Sequence, residues 1–170
     1  LLSYESRTMC LRCKSGQFVR DLQECVPCVL GKYAPAAMND DCLECSSGSV
    51  TNNITSATKC TACGPGKFSQ GLTTSCTECA LGTSQAALGQ PSCSVCESGR
   101  YQDSTGKSSC EACDAGKYAA NVASTSCSNC PPGKAQGGTG QSECVDCLAG
   151  SYSSDNSKTS CLTCEAGCLA

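Results

Sequence analysis

Apolar residues in this chain never recur with a helical period over more than two turns, and the longest apolar runs span only a few residues. Between them lie stretches such as 119–126 and 151–160, rich in Ser, Thr, Asn, Asp and Gly. This pattern predicts turns joining very short strands, with little helix. Large apolar groups return in phase as single aromatics: Phe18, Tyr33, Phe68, Tyr101, Tyr118 and Tyr152. Each follows a glycine by two positions, at Gly16, Gly31, Gly66, Gly99, Gly116 and Gly150. The glycine is expected to turn the chain with positive φ. The aromatic is expected to lie over a disulfide or a neighbouring unit as a miniature core. Val50, Ser84 and Ala135 replace it in three units, which are expected to pack less tightly or differently.

The phase is set by cysteine. Ten C-x-x-C pairs begin at Cys10, Cys25, Cys42, Cys60, Cys76, Cys93, Cys110, Cys127, Cys144 and Cys161, and the last five steps between them are 17 residues each. Cys168 stands apart. A serine precedes the next pair at Ser75, Ser92, Ser109, Ser126 and Ser160, so the unit reads C-x-x-C-x-x-G-x-[YF]-(polar loop)-S-C. The chain therefore divides into an irregular first repeat over 1–24, a tandem array over 25–164, and the start of a further unit or a truncated end over 165–170. Stacked units of this size are expected to contact mainly their neighbours, as an elongated rod of short β-hairpin and loop units.

Composition explains the need for staples. Leu, Ile, Val and Phe together number 22 of 170 residues, and there is no Trp. So little apolar surface does not offset backbone entropy. The 21 cysteines do. A disulfide closing a loop of about 15 residues contributes about 3 kcal/mol in the chain-entropy model, less whatever strain and residual denatured structure remove. Cysteine at this density also points to an oxidising, extracellular or cell-surface setting. The odd count predicts at least one thiol that is free or paired beyond these residues. Net charge is −3 with a pI near 4.9, which gives no basic patch for nucleic acid. No run is long enough to span a membrane.

Periodicity narrows the pairing. If every unit is equivalent, the same bond recurs at each step. The simplest scheme is a ladder from the second Cys of one pair to the first of the next: Cys13–Cys25, Cys28–Cys42, Cys45–Cys60, Cys63–Cys76, Cys79–Cys93, Cys96–Cys110, Cys113–Cys127, Cys130–Cys144 and Cys147–Cys161. It leaves Cys10 for an upstream partner and Cys164 for Cys168 or a downstream one. A rival scheme joins first to first and second to second across two pairs. That doubles the repeat, whereas the aromatics do not alternate, so the ladder is favoured.

The segments CGPGKFSQGLTTSCTEC, CESGRYQDSTGKSSCEAC and CDAGKYAANVASTSCSNC resemble the ephrin-receptor-like cysteine-rich repeat. They are also similar to the single-disulfide module that opens tumour-necrosis-factor-receptor cysteine-rich domains. The resemblance runs from Cys10 to Cys164. It implies a bond from the Cys before Gly-x-Tyr to the next Cys after the loop, in agreement with the ladder, and a hairpin rod. Repeats of this type occur in receptors, matrix proteins and surface proteins, so the resemblance is silent on which role applies.

Other chemistries fit less well. Paired C-x-x-C knuckles also describe four-cysteine zinc or iron–sulfur sites, but the phase is uniform rather than grouped in twos, and the chain contains no His. A redox C-x-x-C needs a βαβ frame that is not visible. Without His the usual general base is missing. Asp40/Asp41, Asp103, Asp155 and the Gly137–Gly140 stretch read as solvated loops. No catalytic, cofactor or metal residue is expected. Asn53-Ile54-Thr55 is the single N-glycosylation sequon, and the Ser/Thr-rich loops are open to O-linked sugar. Two functions follow as expectations: a structural segment of a stalk, matrix, coat or filament, partnered by other protein chains through self-assembly or matrix contacts; or a receptor or adhesion ectodomain gripping a protein ligand. For the second, Arg7, Arg12, Lys14 and Arg20 near the start and the aromatic-free units are the places to look.

Overall fold

A computed structural model describes residues 13–21, 24–36 and 41–165. Cys10, Cys168, Arg7, Arg12 and Asp40 lie outside the described residues. The described residues contain no helix, and none is long and apolar enough to cross a membrane. They form nine antiparallel hairpins in chain order: β1 (Gln17–Arg20) with β2 (Glu24–Pro27), β3 (Lys32–Tyr33) with β4 (Leu43–Glu44), β5 (Ser49–Val50) with β6 (Thr61–Ala62), β7 (Lys67–Phe68) with β8 (Thr77–Glu78), β9 (Thr83–Ser84) with β10 (Ser94–Val95), β11 (Arg100–Tyr101) with β12 (Glu111–Ala112), β13 (Lys117–Tyr118) with β14 (Ser128–Asn129), β15 (Lys134–Ala135) with β16 (Val145–Asp146), and β17 (Ser151–Tyr152) with β18 (Leu162–Thr163). The fold is a small disulfide-rich repeat. Two compact units partition it: Leu1–Cys63, Phe68–Thr77 and Gly89–Pro91 in one; Gly64–Lys67, Glu78–Leu88 and Ser92–Ala170 in the other.

A hairpin of two-residue strands is not stable alone, so its local bonds matter. Each first strand is entered through a turn. In the sixth hairpin Arg100 N–H donates to Glu97 C=O at 3.1 Å, and Gly99 between them has φ 83°. That is the third position of a type II turn, where a Cβ is penalised. The same bond recurs at every hairpin, from Gln17 to Lys14 through Ser151 to Leu148. Each hairpin is closed at its base by a second bond, such as Cys113 N–H to Gly99 C=O at 2.9 Å.

Most of the remaining backbone hydrogen bonds run between successive loops. Three contacts recur within each compact unit. The turn glycine donates to the residue after the aromatic position one loop on: Gly16 to Ala34 and Gly48 to Ser69 in the first unit, Gly82 to Gln102 and Gly99 to Ala119 in the second. That acceptor's own N–H donates onward again, as Ala34 does to Ala57 and Gln102 to Ser124. The residue four before each loop-closing cysteine donates back to the cysteine that opens the preceding loop: Ser56 to Cys28, Leu72 to Cys45, Ala123 to Cys96, Ser157 to Cys130. These donors are left-handed, with φ of 58°, 53°, 56° and 62°.

The buried set differs from the sequence expectation. The aromatics are only half-buried, and Tyr152 is 46% exposed. Phe18 packs on Cys28, Ala34 and Cys42, so it does lie over the next disulfide. The miniature core is instead mainly the cysteine that opens each loop plus the residue after the aromatic, the loop-closing cysteines being mostly half-buried. Cys63, Cys79, Cys113 and Cys130 are fully buried, together with Ala34, Ser69, Gln102 and Ala119. Side chains alternate across a strand, so the residue after the aromatic points inward where the loops meet. There is room there only for small or hydrogen-bonded groups. Of the aromatic-free positions, Val50 is 0% exposed and Ala135 is buried, so these two pack differently from the half-buried aromatics, while Ser84 is half-buried.

Candidate functional site

The candidate site is the ladder itself and the loop surface it holds. Nine disulfides join Cys13–Cys25, Cys28–Cys42, Cys45–Cys60, Cys63–Cys76, Cys79–Cys93, Cys96–Cys110, Cys113–Cys127, Cys130–Cys144 and Cys147–Cys161. Their Cα–Cα separations run from 5.4 to 5.7 Å, inside the span a disulfide requires. From Cys25/Cys28 to Cys144/Cys147, the two sulfurs of each pair belong to different staples, because strand pairing sets the two cysteines beside different loops. That commits both sulfurs and leaves no thiolate pair to ligate a metal. Among the described residues Cys164 carries no disulfide and is exposed.

Three glutamines form a device that motif reading missed. Gln102 Nε2 donates to Ser109 C=O at 2.9 Å, and its Oε1 accepts from Ser104 N–H at 3.0 Å. Gln85 makes the same two bonds to Ser92 and Ala87, and Gln136 to Glu143 and Gly138. One side chain thus clips the start of a polar loop to its end. Elsewhere shorter hydroxyls do part of this work: Ser69 Oγ accepts from Gly71 N–H at 3.2 Å and bonds Thr73 Oγ1 at 2.6 Å. The signal was present in the sequence, since all three glutamines stand six residues after a cysteine.

Charged side chains pair within individual hairpin loops. Lys32 faces Asp41 at 3.4 Å and Glu44 at 3.5 Å, Lys67 faces Glu78 at 3.3 Å, and Lys134 faces Asp146 at 3.0 Å. These pairs are exposed, apart from the half-buried Lys32, and individually weak. Asp41 is held below the ordinary aspartate range, chiefly because its carboxylate accepts the Cys42 N–H at 2.7 Å, with Lys32 adding to this. Asp155 is lowered by Lys158 and the Ser154 hydroxyl. Tyr101 is raised because Glu111 accepts its hydroxyl proton at 3.2 Å. Asp103 accepts from the Ser104 hydroxyl. Arg20 pairs with Glu24 and sits 5.9 Å over the Phe18 ring, while Lys14 is exposed. Among the described residues no group of three or more His, Cys, Asp or Glu is placed to hold a metal. Asn53 is exposed at a loop tip.

No curated protein matches the chain at a significant level. The family model described as tyrosine-protein kinase ephrin type A/B receptor-like matches residues 16–63, 66–109 and 99–140. These stretches carry the first seven of the nine hairpins and most of the disulfide ladder and span more than half of the sequence, so the chain belongs to the ephrin-receptor-like family of cysteine-rich repeats.

Proposed function

We propose that this segment is a structural part of an extracellular protein, a spacer within a stalk, matrix, coat or filament, and that it carries no catalytic centre. Ephrin-receptor-like repeats with a disulfide ladder suggest an extracellular domain, and disulfides of this density persist in oxidising compartments. The observation that carries the structural role is recurrence. Loop after loop makes the same three backbone contacts with its neighbours, while the polar residues between them vary freely. A chain that invests its buried groups in holding successive loops in register is suited to setting distance and resisting proteolysis.

The test is removal of one repeat, residues 113–129, which closes the ladder in phase. A spacer keeps the function of its parent protein with a shortened reach, and any other repeat is equally removable. An ectodomain with a localised ligand site loses binding when one particular repeat goes and keeps it when others go. The second outcome would replace the structural reading with the receptor or adhesion one. Location is tested separately: the protein should be recovered outside the cell with its ladder oxidised.

A further inference from the structure

The loop between Cys45 and Cys60 is the longest of the nine, with a sequence separation of 15. The extra length forms a second turn. Ile54 N–H donates to Thr51 C=O at 3.1 Å, and the central residues Asn52 and Asn53 are both left-handed, with φ of 52° and 58°. Two positive φ values in succession define a type I′ turn, for which Asn is well suited. Asn53 N–H donates to Thr74 C=O at 2.9 Å, which fixes the turn at its tip. Residues 52–55 are all exposed, and Ile54, the single isoleucine of the chain, is 57% exposed.

The turn accounts for Asn52 and Asn53 but not for Thr55. Its side chain is exposed and makes no hydrogen bond to another described residue. The Asn53 carboxamide is likewise uncommitted among the described residues. An exposed carboxamide with a hydroxyl two residues on, on a fixed and protruding turn, is the substrate of N-glycosylation. We infer that Asn53 is an N-linked glycosylation site. Asn53 Nδ2 attacks the anomeric carbon of an oligosaccharide carried on a polyprenyl diphosphate. A carbon–nitrogen bond forms, the carbon–oxygen bond to the diphosphate breaks, the lipid diphosphate leaves, and the amide gives up one proton. The sugar then stands outward from the loop tip and shields Ile54.

The inference rests on the extracellular location proposed above. The experiment is the intact mass of the secreted protein before and after an amidase that removes N-linked glycans and leaves Asp at position 53. Asn53→Gly keeps the left-handed turn and deletes the acceptor, Thr55→Ala deletes only the hydroxyl, and Thr55→Ser restores it. The wild type and Thr55→Ser should carry glycan mass. The other two variants should lose it while keeping nine disulfides. A secreted, oxidised chain of unmodified mass overturns the inference and leaves the location standing. So does glycan mass that survives in Thr55→Ala. Retention inside the cell with reduced thiols overturns both.

Discussion

A β-carbon on Gly82 would overlap the carbonyl oxygen of Ala123, a residue two loops further along the chain. The same relation links Gly31 to Leu72, Gly99 to Gly140 and Gly116 to Ser157, in each case to a left-handed residue four before a cysteine. Gly133 and Gly150 have nothing within 4 Å of such a carbon. The repeat glycine therefore answers to two constraints, a positive φ and a backbone lying against it, and the two can be separated.

Gly150→Ala should cost only the left-handed penalty, about 1–2 kcal/mol. Gly82→Ala carries that penalty and also displaces the loop that bears Ala123, so its cost is larger. Hydrogen exchange at the Ala123 amide, which is bonded to Cys96 C=O at 2.7 Å, should accelerate strongly in Gly82→Ala and stay unchanged in Gly150→Ala. Equal effects would remove the close-approach argument.

Gln102 is 1% exposed and satisfies the Ser104 N–H and the Ser109 C=O. Gln102→Ala strands both, at about 1–3 kcal/mol for each group that water does not reach. Gln85 is only half-buried, so solvent takes over its bonds. The Ser104 amide should lose protection in Gln102→Ala far more than the Ala87 amide does in Gln85→Ala.

Two groups give pH dependence of opposite sign. Asp41 is lowered on folding, so its contribution to stability is present above the ordinary aspartate range and is lost as pH falls through the depressed value. Lys32→Ala should leave part of the depression in place, because the Cys42 N–H, its largest single cause, remains. Tyr101 is raised, so its contribution is present below the ordinary tyrosine range and is lost as pH rises through the elevated value. Glu111→Gln should bring its titration down. Both are read by NMR titration of the side chain.

The ladder sets a limit on extension. With staples intact, each repeat can stretch only across its C-x-x-C step and one disulfide of about 5.7 Å Cα–Cα, about 16 Å in all. Reduced, the 17 residues reach about 60 Å. Single-molecule pulling should show an oxidised contour near the first figure per repeat and a rise of roughly fourfold with reductant.

The legible parts were those carried by spacing. Ten C-x-x-C pairs at a near-constant step announced the repeat, the hairpins and the shortage of helix, because a disulfide needs its two cysteines close and an irregular chain so poor in Leu, Ile and Val has no other way to stay folded. The glycine's turn was legible as well, since positive φ is local. The aromatic fills only part of the role its size suggests. Phe18 does cover a disulfide, but the interior belongs to Val50, Ser69, Gln102 and Ala119.

By itself the sequence determined the period, the staple-dependent stability and the position of each turn, all properties of residues within about one repeat of each other. Tertiary structure alone decided which residues face inward, why glycines such as Gly82 and Gly99 have no room for a side chain while Gly150 does, and that Gln102 clips its loop. Gly82 and Ala123 meet because each loop bonds to the next through its backbone, and a backbone donor or acceptor has no residue type by which the sequence could announce it.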